Sequence, residues 1–204
     1  MYGYSFLLLA ISLSVAACAG NEKNTASVSA VNTESGISDN RVNVSDENRA
    51  AVDERGYIVR VGDKAPDFTL RTTNDETFRL SDMRGKVIML QFTASWCGVC
   101  RKEMPFIESE IWRKHKDDPN FCLLGIDRDE PLDKVLAFIK KTGVTYPMAL
   151  DPGGDVFALY AEREAGITRN VIIDSSGKIV MLTRLYNEEE FSEMCKVIDG
   201  LLEK

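Results

Sequence analysis

The chain has 204 residues, room for one ordinary domain and some additional segments, and a formal net charge of −7. No basic cluster dominates either half, which argues against nucleic acid as a partner. Of its five cysteines only Cys97 and Cys100 are close in sequence, and its one histidine, His115, has no cysteine or histidine at ligand spacing, so no metal or other cofactor is expected.

Phe6 to Ala17 form an apolar run, shorter than the about 20 residues of a membrane-spanning helix, that ends in Val15-Ala16-Ala17-Cys18. That ending resembles the lipobox of bacterial lipoproteins, in which signal peptidase cleaves before the cysteine and the thiol is lipidated. The resemblance implies a signal peptide over 1–18 with Cys18 as the lipidation site. It departs from the pattern at Met1-Tyr2-Gly3-Tyr4-Ser5, where no Lys or Arg precedes the apolar run; the other readings are an ordinary signal peptide or a cytosolic start with a chance apolar run. From Ala19 to Gly56 the chain is rich in Ser, Asn, Thr, Asp and Glu without a sustained period, so 19–56 reads as a disordered tether. Its root-mean-square reach is about 30 to 35 Å. Residues 57–204 remain as the folded domain.

Within that domain, Val61 to Leu70 ends in a short strand, and Glu76-Thr77-Phe78-Arg79-Leu80 alternates as its hairpin partner across Thr73-Asn74-Asp75. The run Val87 to Thr93 is apolar and short enough to be a buried strand, and Arg101 to Glu108 opens a helix with apolar residues at Met104, Ile107 and Ile111. Trp96-Cys97-Gly98-Val99-Cys100 therefore lies on a strand-to-helix turn. Unpaired N–H groups at the helix start stabilise a thiolate at Cys97, whose thiol otherwise has a pKa of about 8.5. A stabilised thiolate is what disulfide exchange requires. Zinc would need a second ligand pair, and a c-type haem would need a histidine where Arg101 stands. Pro105 is expected to kink this helix just past its first turn.

A strand over 121–127 and a helix from Pro131 to Lys141, with Leu132, Val135, Leu136 and Ile139 on one face, continue a strand-helix order that implies parallel pairing. Val171 to Asp174 and Lys178 to Leu182 flank Ser175-Ser176-Gly177 as a hairpin, and Glu188 to Lys204 closes the chain as an amphipathic helix. Cys122, in the strand, and Cys195, on the stripe Phe191, Met194, Ile198 and Leu202, read as buried spacers.

These residues resemble the TlpA- and ResA-type thioredoxin-like proteins, which are extracytoplasmic thiol-disulfide oxidoreductases. The resemblance runs from about Val61 to Leu202. It rests on Gly62 to Phe68, on Leu80 to Lys86, on Phe92 to Glu103, and on Val171 to Val180, in that order and spacing. It implies an α/β thioredoxin-like fold, a mixed central sheet flanked by helices with an N-terminal β-hairpin extension. It further implies that Cys97 is the attacking thiol and Cys100 the resolving one, and that Glu103 is the proton acceptor for Cys100. Trp96 and the segment Thr168-Arg169 would line the substrate groove. Thioredoxins proper place an acid where this chain has Gln91, and the family usually places a cis-proline where it has Thr168. The hydroxyl of Thr168 and the charge of Arg169 would then lie near the sulfurs.

The function this implies is a membrane-tethered reductant of protein disulfides in a bacterial envelope, with Cys18 holding a monomer to the outer membrane and a membrane donor resupplying electrons. Ala65-Pro66-Asp67-Phe68 is shared with peroxiredoxins, whose threonine three residues before the reactive cysteine and proline four before that correspond here to Ala94 and Leu90. That mismatch argues against a thiol peroxidase. The intact Cys97-Cys100 pair argues against a redox-inert binding module.

Overall fold

A computed structural model describes residues 53–203. The expectations for the signal peptide, for Cys18 and for all but the last four residues of the tether lie outside that range. Asp53 to Gly56 already belong to the folded part. Arg55 Nη1 donates to the Leu182 carbonyl at 2.9 Å, and the Arg55 carbonyl accepts from Arg169 Nη2 at 2.5 Å. The ordered domain thus starts a few residues before the expected boundary at 57.

A seven-stranded sheet of order β2-β1-β5-β4-β3-β6-β7 forms the frame. Its strands are β1 (Thr69–Thr72), β2 (Thr77–Arg79), β3 (Val87–Thr93), β4 (Phe121–Arg128), β5 (Met148–Asp151), β6 (Arg169–Ile173) and β7 (Ile179–Arg184). β3, β4 and β5 are parallel, whereas β6 and β7 on one side and the β1–β2 hairpin on the other are antiparallel. Every residue of β3 is buried, as a central strand covered on both faces must be.

Alternation along the strands sorts the interior into two cores. Val87 and Met89 face a core with Met104, Ile107 and Ile111, with Val135 and Phe138, and with Phe191, Met194 and Ile198. These come from α1 (Gly98–Phe106) and its continuation, from α3 (Leu132–Thr142) and from α4 (Glu188–Leu202). Ile88, Leu90 and Phe92 face the other core, built from Tyr57, Phe68, Val156, Phe157 and Tyr160.

Beyond Pro105, which has no N–H for the helical ladder, α1 passes into a π-helical turn over Ile107–Trp112 before the short α2 (Arg113–His115). Asn187 caps α4, its Oδ1 accepting the N–H groups of Glu189 and Glu190, both at 3.0 Å. Among the described residues no helix is long and apolar enough to cross a membrane.

Three local expectations change. β5 went unforeseen: its Met, Ala and Leu carry no strand preference, and Pro147 precedes it. On α3 the inward residues are Val135 and Phe138, while Leu132 and Leu136 are exposed; the bulkiest side chain, Phe138, takes the inward place one turn from Val135. Cys122 and Cys195 are half-buried free thiols, and burial pushes each up to about 11.

Candidate active site

The turn between β3 and α1 brings the sulfurs to a helix start. Cys97 is the N-cap of α1, and its Sγ accepts the Cys100 N–H at 3.1 Å, so one of the unpaired donors of the first turn points at this sulfur. Cys97 and Cys100 form a disulfide with Cα atoms 5.3 Å apart. Cys97 keeps 7% of its surface exposed and Cys100 none, so an incoming reactant meets Cys97 first. Trp96, beside it, is 62% exposed.

The active-site turn, just past β3, is secured from the segment that follows β4. Glu130 accepts the Ser95 N–H at 2.5 Å through one oxygen and the Ser95 hydroxyl at 2.6 Å through the other. Asp127 lies buried at the end of β4 with neither carboxylate oxygen hydrogen-bonded, and burial, then the negative charge of Glu130, pushes it up to about 7. An acidic residue in a buried strand was the available signal for Asp127.

Thr168 reaches the sulfurs from just before β6. Its Oγ1 lies 3.1 Å from Cys97 Sγ and 3.3 Å from Cys100 Sγ, and the side chain is buried. Disulfide sulfurs carry no hydrogen, so the hydroxyl is the donor. In the reduced protein the same hydroxyl can donate to a Cys97 thiolate, and a hydrogen bond to a charged acceptor contributes about 1.5 to 3 kcal/mol. Thr168→Val should therefore raise the Cys97 pKa by about one unit or more. The pH profile of iodoacetamide alkylation of Cys97 measures this, and an unmoved profile would exclude a role for the hydroxyl.

Arg169 is not in the groove. Strand alternation turns it to the opposite face from Thr168 and Asn170, beside Phe92, its partner on β3. There it is fully buried, with its guanidinium 4.3 Å over the Tyr57 ring and Nε donating to the Gly166 carbonyl at 3.0 Å. The expectation that its charge would face the sulfurs is corrected accordingly: Arg169 fastens the N-terminal segment to the sheet.

Beneath α1 a polar row crosses the sheet. Gln91 pairs with Asn170 on β6, and Asn170 pairs with Thr183 on β7. Glu103, one turn into the helix beyond Cys100, is buried above this row. Asn170 Nδ2 donates to Glu103 Oε1 at 2.7 Å and to Thr183 Oγ1 at 2.9 Å, and the Tyr146 hydroxyl donates to Gln91 Oε1 at 2.6 Å. Residue 125, next to Gln91 on β4, is glycine; a Cβ there would run into the Met148 sulfur first and would also lie 3.2 Å from the Tyr146 ring.

Burial pushes Glu103 up to about 7, against the amides of Asn170 and Gln91, which favour its charged form. Its second oxygen, Oε2, has no hydrogen-bond partner. A buried carboxyl poised near neutrality, one turn from the inner cysteine, is chemically able to take up a thiol proton. Asn170, unforeseen from sequence, carried a signal: asparagine is depleted in strands, and here it interrupts a buried one. Among the described residues no group of three or more His, Cys, Asp or Glu is placed to hold a metal.

The chain is similar to known proteins. The Redoxin family model matches residues 60–198. The thiol-disulfide oxidoreductase ResA of Bacillus thuringiensis subsp. konkukian is 28% identical over 150 residues, 71% of this chain and 84% of that protein. ResA of Bacillus subtilis is 32% identical over 119 residues, 58% of this chain and 64% of that protein. Among solved structures, a candidate protein disulfide isomerase from Bacteroides thetaiotaomicron superposes with a TM-score of 0.72 at 68% identity, covering 73% of this chain and 94% of that one. A candidate thiol:disulfide interchange protein DsbE from Chlorobium tepidum gives a TM-score of 0.63 at 28% identity, covering 71% and 99%.

Proposed function

Because this chain belongs to the Redoxin family and is a thioredoxin-like thiol-disulfide oxidoreductase, we propose that it reduces protein disulfides in a bacterial envelope, held at the membrane by a lipid on Cys18. The observation that carries this reading is the unequal exposure of two sulfurs at one helix start, Cys97 reaching the surface with 7% of its area and Cys100 with none.

In the proposed cycle the Cys97 thiolate attacks a substrate disulfide, forming a mixed disulfide and releasing one substrate thiolate. Cys100 passes its proton to Glu103 and attacks the Cys97 sulfur. The Cys97–Cys100 bond forms, the mixed disulfide breaks, and the substrate leaves with both sulfurs reduced. Two electrons from a membrane-bound dithiol donor, which leaves as a disulfide, reopen the Cys97–Cys100 bond; the proton held by Glu103 returns to Cys100, and the donor's two protons balance, through solvent, the two thiolates released on the substrate. Trp96 gives the substrate polypeptide an apolar surface beside Cys97, and the monomer is tethered to the outer membrane by residues 19–56.

Equilibration in dithiothreitol or glutathione buffers, with both thiol states trapped and weighed, tests the direction of electron flow. A potential more negative than about −200 mV is expected for a reductant; a value near the about −120 mV of a strong oxidant would reverse the assignment. In cells expressing the full chain, Cys18→Ser should move the protein from the membrane fraction to the soluble one, and a variant that stays on the membrane would remove the lipid anchor from the reading.

A further inference from the structure

Leu185 follows β7 with φ of +68°, a left-handed conformation that a branched side chain rarely adopts. Burial does not repay this strain, because the side chain is 47% exposed and belongs to neither core. Glycine would take the same backbone without penalty. The conformation is imposed from both sides. Leu185 N–H donates to the Thr168 carbonyl at 3.1 Å, and the next residue, Tyr186, stacks on Phe106 of α1 with ring planes 9° apart and centroids 5.2 Å apart.

An exposed leucine in a strained backbone is thus bonded to the residue whose hydroxyl touches both sulfurs. Strain that the surroundings enforce and the fold does not need is characteristic of sites that contact ligands. We propose that Leu185 is a specificity-determining residue of the exchange reaction, selecting substrate polypeptides with an apolar residue beside the reactive cysteine. It does so by giving that residue an apolar contact next to Thr168, to whose carbonyl the Leu185 backbone is bonded. This rests on the reading of the protein as a reductase of protein disulfides.

The test uses two disulfide-linked peptides identical except for Leu or Asp next to the cysteine, with the full chain in its reduced form. Wild type should favour the Leu peptide by about tenfold in kcat/KM, the discrimination typical of one apolar contact. In Leu185→Gly the preference should fall to about one, through a rise in KM for the Leu peptide and with thermal stability at or above wild type. Leu185→Asn, which also tolerates the left-handed backbone, should behave alike. Equal rates on both peptides in wild type, or a preference that survives in both variants, would overturn the assignment of Leu185. A wild-type protein that reduces neither peptide would instead overturn the reductase reading beneath it.

Discussion

Cys97→Ser abolishes disulfide exchange, with a loss on the order of 10³-fold or more, while Cys100→Ser carries out the first attack and stops there. The difference follows from position. Cys97 is the N-cap that still reaches the surface and Cys100 the fully closed residue one turn in, so the first is placed to meet a substrate sulfur and the second to reach the resulting mixed disulfide from inside. Cys100→Ser should accumulate covalent adducts through Cys97 that mass spectrometry identifies after alkylation, and these adducts name the substrates. Adducts through the half-buried Cys122 or Cys195 would contradict the assigned roles, since burial keeps both of those thiols protonated near neutral pH.

Glu103→Gln should both stabilise the oxidised protein at pH 8 and slow its catalytic cycle. Burial raises the Glu103 pKa from 4.5 to about 7, so between those values the folded chain holds a proton that the unfolded chain has lost. Stability contributed by this proton is fully present below about pH 4.5, declines as pH rises through the folded value near 7, and stays lost above it. The span of about 2.5 units corresponds to roughly 3 kcal/mol. A glutamine keeps an acceptor for Asn170 and never ionises, so urea unfolding should find the variant more stable than wild type by roughly that amount at pH 8 and nearly equal to it at pH 4.5.

The difference between variants is the quantity to follow, because Asp127 is also raised to about 7 and weakens wild type and variant alike over the same range. A difference that does not change with pH would exclude an ionising Glu103. In turnover, loss of the proton acceptor should slow resolution of the mixed disulfide on the order of 10²-fold.

Much of the site was legible because its parts are local. Seven consecutive apolar or buried residues in β3, a turn carrying two cysteines, and Met104, Ile107 and Ile111 at helical spacing fix strand, sulfurs and helix in one continuous stretch. Thr168 was legible through the family resemblance, as the residue standing where the family usually has a cis-proline. Arg169 was misplaced because adjacency in sequence was taken for adjacency in space; the two-residue period of β6 sends it away from Thr168. The polar row depends on the register of three strands, and the Ser95–Glu130 hold depends on a contact between residues 35 apart, neither of which a single sequence displays. Leu185 was hidden for a different reason: its backbone conformation is set by neighbours, not by its own preference.

The crosslink encloses only four residues, since its cysteines are three positions apart. Closing so small a loop restricts the unfolded chain little, by about 2 kcal/mol on a chain-entropy basis, less than the about 3 kcal/mol of a fifteen-residue loop. Opening it therefore does not loosen the scaffold: the turn remains anchored through Ser95 and Glu130, and the facing segment through Thr168 and Leu185. Repeated oxidation and reduction thus act on a bond that adds stability to a scaffold held by other contacts, so the folded form does not depend on the crosslink alone.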